Sequence, residues 1–385
     1  MRVADTKLFT IVLWRVLLPA WALAGAPCVF GQTNGALHNF FRRQIGLGED
    51  QIAAIGRGAA VARVLPSERP AEMVIFGTVF IHAEPQAYVR FAFDFERLRR
   101  LPVYHGINRV SEPPSLRDFE GFVLEPGDLK NLRSCRPGKC SIQLSAQAMR
   151  ELQSVVDWSD EKAAAACINR RLQTLAFDLL QRYRAEGNTA LGIYHDGAQP
   201  FDVNRELRTL LGRAEVLSVY IPELTRYLLE YPNASLPRLD STFYWEKVSF
   251  GLKPTLRLNH AAAFHFEGPR GAAEVVAVKQ LYASHYFQLA LEITECIPGR
   301  DAAGKPGFHL ISLRGSTQQG LTGWKGAILR RIIAIRARSA QEKALLEIKR
   351  MLEAGHAARQ DVSATTVSQD DGRPAGRSGG RGASL

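Results

Sequence analysis

Apolar residues gather into dense short runs in some stretches of the chain and recur at helical spacing in others. The first dense run, Glu72 to Ala83, reads Met-Val-Ile-Phe-Gly-Thr-Val-Phe-Ile-His at its centre. Such β-branched and aromatic density predicts a well-covered sheet strand. Phe243–Phe250, Thr255–Phe266 and Phe308–Ser316 predict further strands, Phe119–Leu124 a short one, and Val275–Ile297 a single long one. Along the last, Leu281, Ala283, His285, Phe287, Leu289, Leu291 and Ile293 alternate onto one face. The Gly268–Gly271 turn and the Pro298–Gly307 segment separate antiparallel neighbours.

Helical spacing occupies the remainder. Leu37–Ile45 and Asp50–Val64 predict two short helices, and Pro85 opens another that Leu101-Pro102 stops. Residues 103–118 read as loop around Pro113-Pro114. From Leu144 to Tyr231, Ile168, Leu172, Leu175, Leu179 and Tyr183 mark the inward stripe of a long helix. Ile328, Leu329, Ile332, Ile333, Leu345, Ile348 and Leu352 predict a last helix over Gly323–Ala354, rich in good helix formers. Residues 357–385 carry almost no large apolar side chains and are expected to be disordered. The organisation is then a sheet domain begun by residues 33–130, interrupted by a cysteine loop and helical insertion over 131–234, and completed by 235–354.

An early strand and short helix, several long antiparallel strands and one long final helix are the expected α+β order. With its Tyr-Ala-Ser-His-Tyr-Phe centre at 282–287, that order resembles the START-like polyketide-cyclase (SRPBCC) helix-grip superfamily over residues 71–130 and 235–354. The resemblance rests on element order, not on a strict residue motif, and the insertion departs from it. It implies a curved antiparallel sheet gripping the last helix around an apolar ligand cavity. It also implies lipid-binding or, in some members, enzymatic activity.

With 46% hydrophobic and 23% charged residues in 385, the chain is neither wholly disordered nor a multi-span membrane protein. Its opening, MRVADTKLFTIVLWRVLLPAWALAGAPCVFGQ, has a basic start, an apolar run and a small-residue exit. That pattern predicts a secretory signal peptide over residues 1–31 and a periplasmic or extracellular product. Export changes the cysteines: Cys135 and Cys140 flank a Pro137-Gly138 turn, and a disulfide between them is expected in an oxidising compartment. A metal half-site there lacks a second cysteine pair. Cys167 and Cys296 read as small buried hydrophobes, with a long-range bridge between them left open.

The motifs of nucleotide binding, zinc proteolysis and serine hydrolysis are missing, and no cofactor or metal is expected. Asp94 with Glu96, and Glu292 with Glu295, are not spaced to share a face. His285 stands out because an unpaired imidazole among apolar neighbours would be costly; its ordinary alternative is a hydrogen bond to tyrosine or a carbonyl. His285, Phe287, Leu289 and, at the mouth, His82 are the candidate ligand-binding residues, and no catalytic residue is assigned. Residues 325–353 hold eight basic against three acidic side chains. Arg330, Arg331, Arg338 and Lys349 are expected on the solvent side, available to an anionic membrane surface. Export and the missing recognition motifs set nucleic acid aside. The function expected is a noncatalytic carrier of a hydrophobic small molecule or lipid in the cell envelope. A cavity enzyme and a ligand-free structural envelope protein are the alternatives.

Overall fold

The computed structural model describes residues 30–213, 221–249, 253–268, 271–318 and 323–370. The stretch carrying most of the export expectation, residues 1–29, lies outside the described residues, as does 371–385.

Eight strands form one antiparallel sheet. Three precede the insertion: β1 (Val61–Leu65), β2 (Glu72–Ile81) and β3 (Tyr104–Arg109). Inside the insertion β4 (Ile193–Tyr194) and β5 (Phe201–Asp202) make a separate two-stranded ribbon. β6 (Asp240–Val248), β7 (Thr255–Gly268), β8 (Gly271–Ala283), β9 (Leu289–Arg300) and β10 (Pro306–Thr317) follow as a meander. The order β1-β2-β10-β9-β8-β7-β6-β3 sets the last strand beside the second.

Helices cover both faces. On one face lie α1 (Phe30–Asn39), its π-helical extension Phe40–Gln44, and α2 (Glu49–Gly56). On the other are α3 (Gln86–Ala92) and α4 (Phe95–Leu98). α5 (Pro126–Leu132) leads into the insertion, which supplies α6 (Ala146–Val155), α7 (Glu161–Glu186), α8 (Val203–Arg213) and α9 (Pro222–Glu230). The last helix among the described residues is α10 (Gly323–Asp370). Alternation along the strands feeds two cores. Phe76, Leu289, Leu291, Ile293 and Ile311 pack against Phe40, Phe41 and insertion residues such as Ile168, Leu180 and Leu207. Val79, Ile81, Val276, Phe308 and Leu310 pack against Phe91, Phe95, Leu345 and Leu352. Each such aliphatic side chain contributes roughly 1.5–3 kcal/mol by leaving water.

The helix-grip expectation is overturned. The sheet is not curled, and its edge strands β1 and β3 stay apart at opposite ends of the order. The last helix lies over β1 and β2 at one margin of the sheet. Large side chains fill the space beneath it: Leu345 and Leu352 meet Val79, Ile81 and Phe308 in one cluster. Gly77 of β2 is required there, since a Cβ would come within 2.9 Å of Gln341 and Leu345.

Other expectations shift locally. Val275–Ile297 is two strands joined by residues 284–288, not one. The turn has no Gly or Pro; it is made with Tyr286 at φ 61°. The Ser284 hydroxyl there accepts from the Leu256 N–H at 3.0 Å. The helix opened by Pro85 breaks at Phe93-Asp94, where the Asp94 carboxylate caps α4 through the Arg97 N–H. The expected helix over Asp50–Val64 stops at Gly56, and its end becomes β1. Residues 104–109, read as loop, form β3, and the expected strand at Phe119–Leu124 is a 3-10 turn (Leu116–Phe119) and loop. The last helix continues through residues 357–370, which were expected to be disordered.

The long helix α7 has clear boundaries. Asp160 caps its start by accepting from the Lys162 and Ala163 N–H groups. Gly187 ends it at φ 64°, packed so closely that a Cβ there would lie 1.7 Å from the Tyr231 carbonyl oxygen.

Candidate functional site

The expected site residues do not converge. His82 follows the end of β2, whereas His285 sits in the β8–β9 turn. The register pairs Thr317 with both Leu289 and Glu72, and Phe308 with Ile81, so the two histidines stand at opposite ends of the sheet. The His82 ring bridges Glu353 (3.0 Å) and Asp301 (2.9 Å), tying α10 to the β9–β10 loop. The His285 Nε2 lies 2.8 Å from the Asp128 carboxylate and its Nδ1 2.9 Å from the Ser141 carbonyl. Burial raises the Asp128 pKa, but hydrogen bonds and charge from His285 and Lys253 outweigh it, leaving the carboxyl below its ordinary range. Both ring nitrogens of His285 are thus engaged in holding the neighbouring loop. Leu289 is 0% exposed in the core, and Phe287 belongs to the turn, its carbonyl accepting from Gln280 at 2.7 Å. These residues do not line the large cavity described below.

The paired carboxylates separate as their spacing implied. Glu292 pairs with Arg314 at 2.7 Å on the face shared with α3, whereas Glu295 stands on the opposite face of β9. Cys135 and Cys140 form the expected disulfide. It closes the loop that holds Ser141 against His285, while Cys167 and Cys296 are free thiols.

A broad concavity lies on the other face of the sheet from α10. A cavity of about 730 Å³ opens between α7, the α6 N-terminus, β4 and the end of β8. Leu172, Leu175, Ala176 and Leu179 of α7 make one wall, Leu144, Ala148, Leu191 and Tyr194 the other, and Phe122, Leu281 and Tyr282 the base. Leu175 and Leu179 belong to the helical stripe visible in the sequence, but they face this space instead of a filled core. The Ser145 hydroxyl caps α6 by accepting from Ala148, which fixes that helix start at the cavity wall. Polar side chains form the rim: Glu151 pairs with Arg171, and Asp178 and Arg182 are exposed. The Tyr282 hydroxyl is buried and has no hydrogen-bond partner. Burial, then the neighbouring Tyr194, Asp196 and Asp128, hold its pKa well above the ordinary tyrosine value. Burial closes it off from the cavity, so it is an unsatisfied hydroxyl packed beneath the floor.

Directly beyond the cavity's inner wall lies a buried polar layer that the sequence reading did not single out. Lys279 shares a strand face with Leu281, and Tyr183 sits one turn beyond Leu179. The Lys279 ammonium is buried, donates to Asn188 Oδ1 (2.9 Å) and the Leu228 carbonyl (3.1 Å), and lies 4.8 Å from the Tyr183 ring centroid. Burial pushes its pKa down to about 7. His260 is held between the Tyr183 hydroxyl (3.0 Å) and the Tyr227 hydroxyl (3.2 Å). Burial, and secondarily the Lys279 charge, lower its pKa well below the ordinary value. With one ring nitrogen donating and the other accepting, a neutral imidazole satisfies both tyrosines. The signal was available: Ala273, Val275, Ala277 and Leu281 set an inward apolar phase that Lys279 interrupts. A lysine 1% exposed cannot reach a substrate, so this layer anchors the insertion to the sheet.

Among the described residues no group of three or more His, Cys, Asp or Glu side chains is arranged to hold a metal ion, and no helix is long and apolar enough to cross a membrane. Compared with known proteins, the chain matches no family model, no curated protein and no solved structure.

Proposed function

We propose that this chain is an exported binding protein for a hydrophobic small molecule or lipid, seated in the cavity between α7 and the sheet. The observation that carries the reading is the cavity itself: about 730 Å³, walled by leucines and aromatic rings. That volume falls within the range of ligand sites, and apolar walls beneath a polar rim fit an apolar body with a polar end. The cavity lies on the opposite face from the space the helix-grip resemblance implied. Its polar rim favours binding over turnover, because the Glu151 carboxylate is engaged by Arg171. The Cys135–Cys140 disulfide supports placement in an oxidising compartment.

Native mass spectrometry of the purified protein, with titration of a fluorescent fatty-acid analogue, tests this. The protein is expected to carry or take up one apolar molecule. Leu175→Trp should block the cavity and abolish probe binding, and Leu179→Arg should weaken it at least roughly tenfold by setting a charge against the apolar ligand surface. No uptake by the wild type, or unchanged uptake by both variants with native circular dichroism, would remove the carrier reading and favour a ligand-free structural role.

A further inference from the structure

The first half of α10 presents apolar side chains to solvent. Ile328 is 57% exposed and Ile335 65%, with Leu329 and Ile332 also exposed. At about 100° per residue, Ile328, Ile332 and Ile335 fall on one line that Leu346 rejoins three turns later. The face toward the body is a different one, carrying Gln341, Leu345 and Leu352. Two of the basic residues expected on the solvent side turn inward instead. Arg330 donates to the Arg69 and Pro70 carbonyls, and Lys349 donates to the Phe80 carbonyl and pairs with Glu353. The exposed cations that remain flank the apolar line: Arg331 and Arg338 on one side, Arg336 and Lys343 on the other, with Arg350 at its end. The acids on this side are Glu342, already engaged by Arg338, and Glu347.

We propose that this face of α10 docks on an anionic lipid bilayer, its isoleucines entering the headgroup boundary and its arginines meeting lipid phosphates. Apolar centre and basic flanks are the arrangement of an interfacial helix. Charge decides the occupant: a second copy on the same stripe would oppose arginine to arginine, whereas an anionic surface complements them. The contact is peripheral, since no described helix is fit to span a membrane. It uses the side of the sheet away from the cavity, so its failure would leave the carrier reading standing.

Vesicle co-sedimentation of the purified protein tests it, using phosphatidylglycerol mixed equally with phosphatidylcholine against phosphatidylcholine alone. Binding is expected only to the anionic vesicles and should decline with added salt. The surface pairs Ile332→Ser with Ile335→Ser, and Arg331→Gln with Arg336→Gln, should each reduce partitioning roughly tenfold. Equal binding to both vesicle types, no binding to either, or unchanged binding by both double variants would overturn it. So would a dimer, seen by light scattering, that Ile332→Ser with Ile335→Ser dissociates, because a second copy would then occupy the stripe.

Discussion

Replacing Lys279 by methionine keeps the length of the side chain and removes its charge, which isolates the cost of holding an ammonium in the core. In the unfolded chain a lysine titrates near 10.4, whereas burial brings Lys279 down to about 7 in the fold. Below that value both states carry the proton, and the penalty stands at its full size of about 5 kcal/mol. As pH rises from about 7 toward 10, the unfolded chain keeps the proton that the folded chain releases, so stability increases. Between pH 7 and pH 9 this one group supplies a gain of about 2 kcal/mol. The variant lacks it. The hydrogen bonds to Asn188 and Leu228 that methionine forfeits add only a pH-independent offset. Surrounding groups leave the window clear, because burial raises Tyr183, Tyr227 and Tyr231 above the ordinary tyrosine value and lowers His260. Urea unfolding of both proteins, followed by circular dichroism across this range, should show the wild type gaining about 2 kcal/mol on Lys279→Met. A difference that stays flat from pH 7 to pH 9 would refute the buried-ammonium argument.

Two further outcomes follow from groups already placed. Gly187→Ala sets a Cβ against the Tyr231 carbonyl at a positive φ and should cost roughly 3 kcal/mol or more, seen as a lowered thermal midpoint; an unchanged midpoint would mean the α7 terminus can shift freely. Asp128→Asn leaves His285 and Lys253 without their carboxylate and should destabilise the protein by about 3 kcal/mol at neutral pH. Because the Asp128 pKa is lowered in the fold, that contribution is present above about pH 4 and is lost as pH falls through the folded value. Thermal melts of both proteins should therefore converge in acid.

The strands with dense apolar runs and clear turn residues, β2, β7 and β10, were legible because their pattern is local. The β8–β9 turn was not. His285 and Phe287 continue the alternation of Leu281 and Ala283 straight into Leu289, and a left-handed Tyr286 replaces the glycine that would have announced a reversal. β3 was hidden for another reason: its His105, Asn108 and Arg109 give a polar edge strand whose place is fixed by pairing with β6. The cavity had a partial signature in Leu175 and Leu179, yet nothing in α7 alone distinguishes a side chain facing a void from one facing a neighbour. That depends on where Leu144, Leu191 and Tyr282 arrive from distant positions. The imidazole of His285 was recognised as needing a partner; Asp128, more than a hundred residues earlier, could not be named from spacing.

The pairing of β2 with β10 sets a timetable for the molecule's birth. Ile81 meets Phe308 across more than two hundred intervening residues, so β2 emerges with one edge satisfied by β1 and the other open until β10 has been made. Its Met-Val-Ile-Phe sequence is the kind that joins any available strand in the interim. Closure of so distant a contact makes for slow assembly and a prolonged exposure to mispairing. A chain cut short before β10 would leave that waiting edge permanently unpaired.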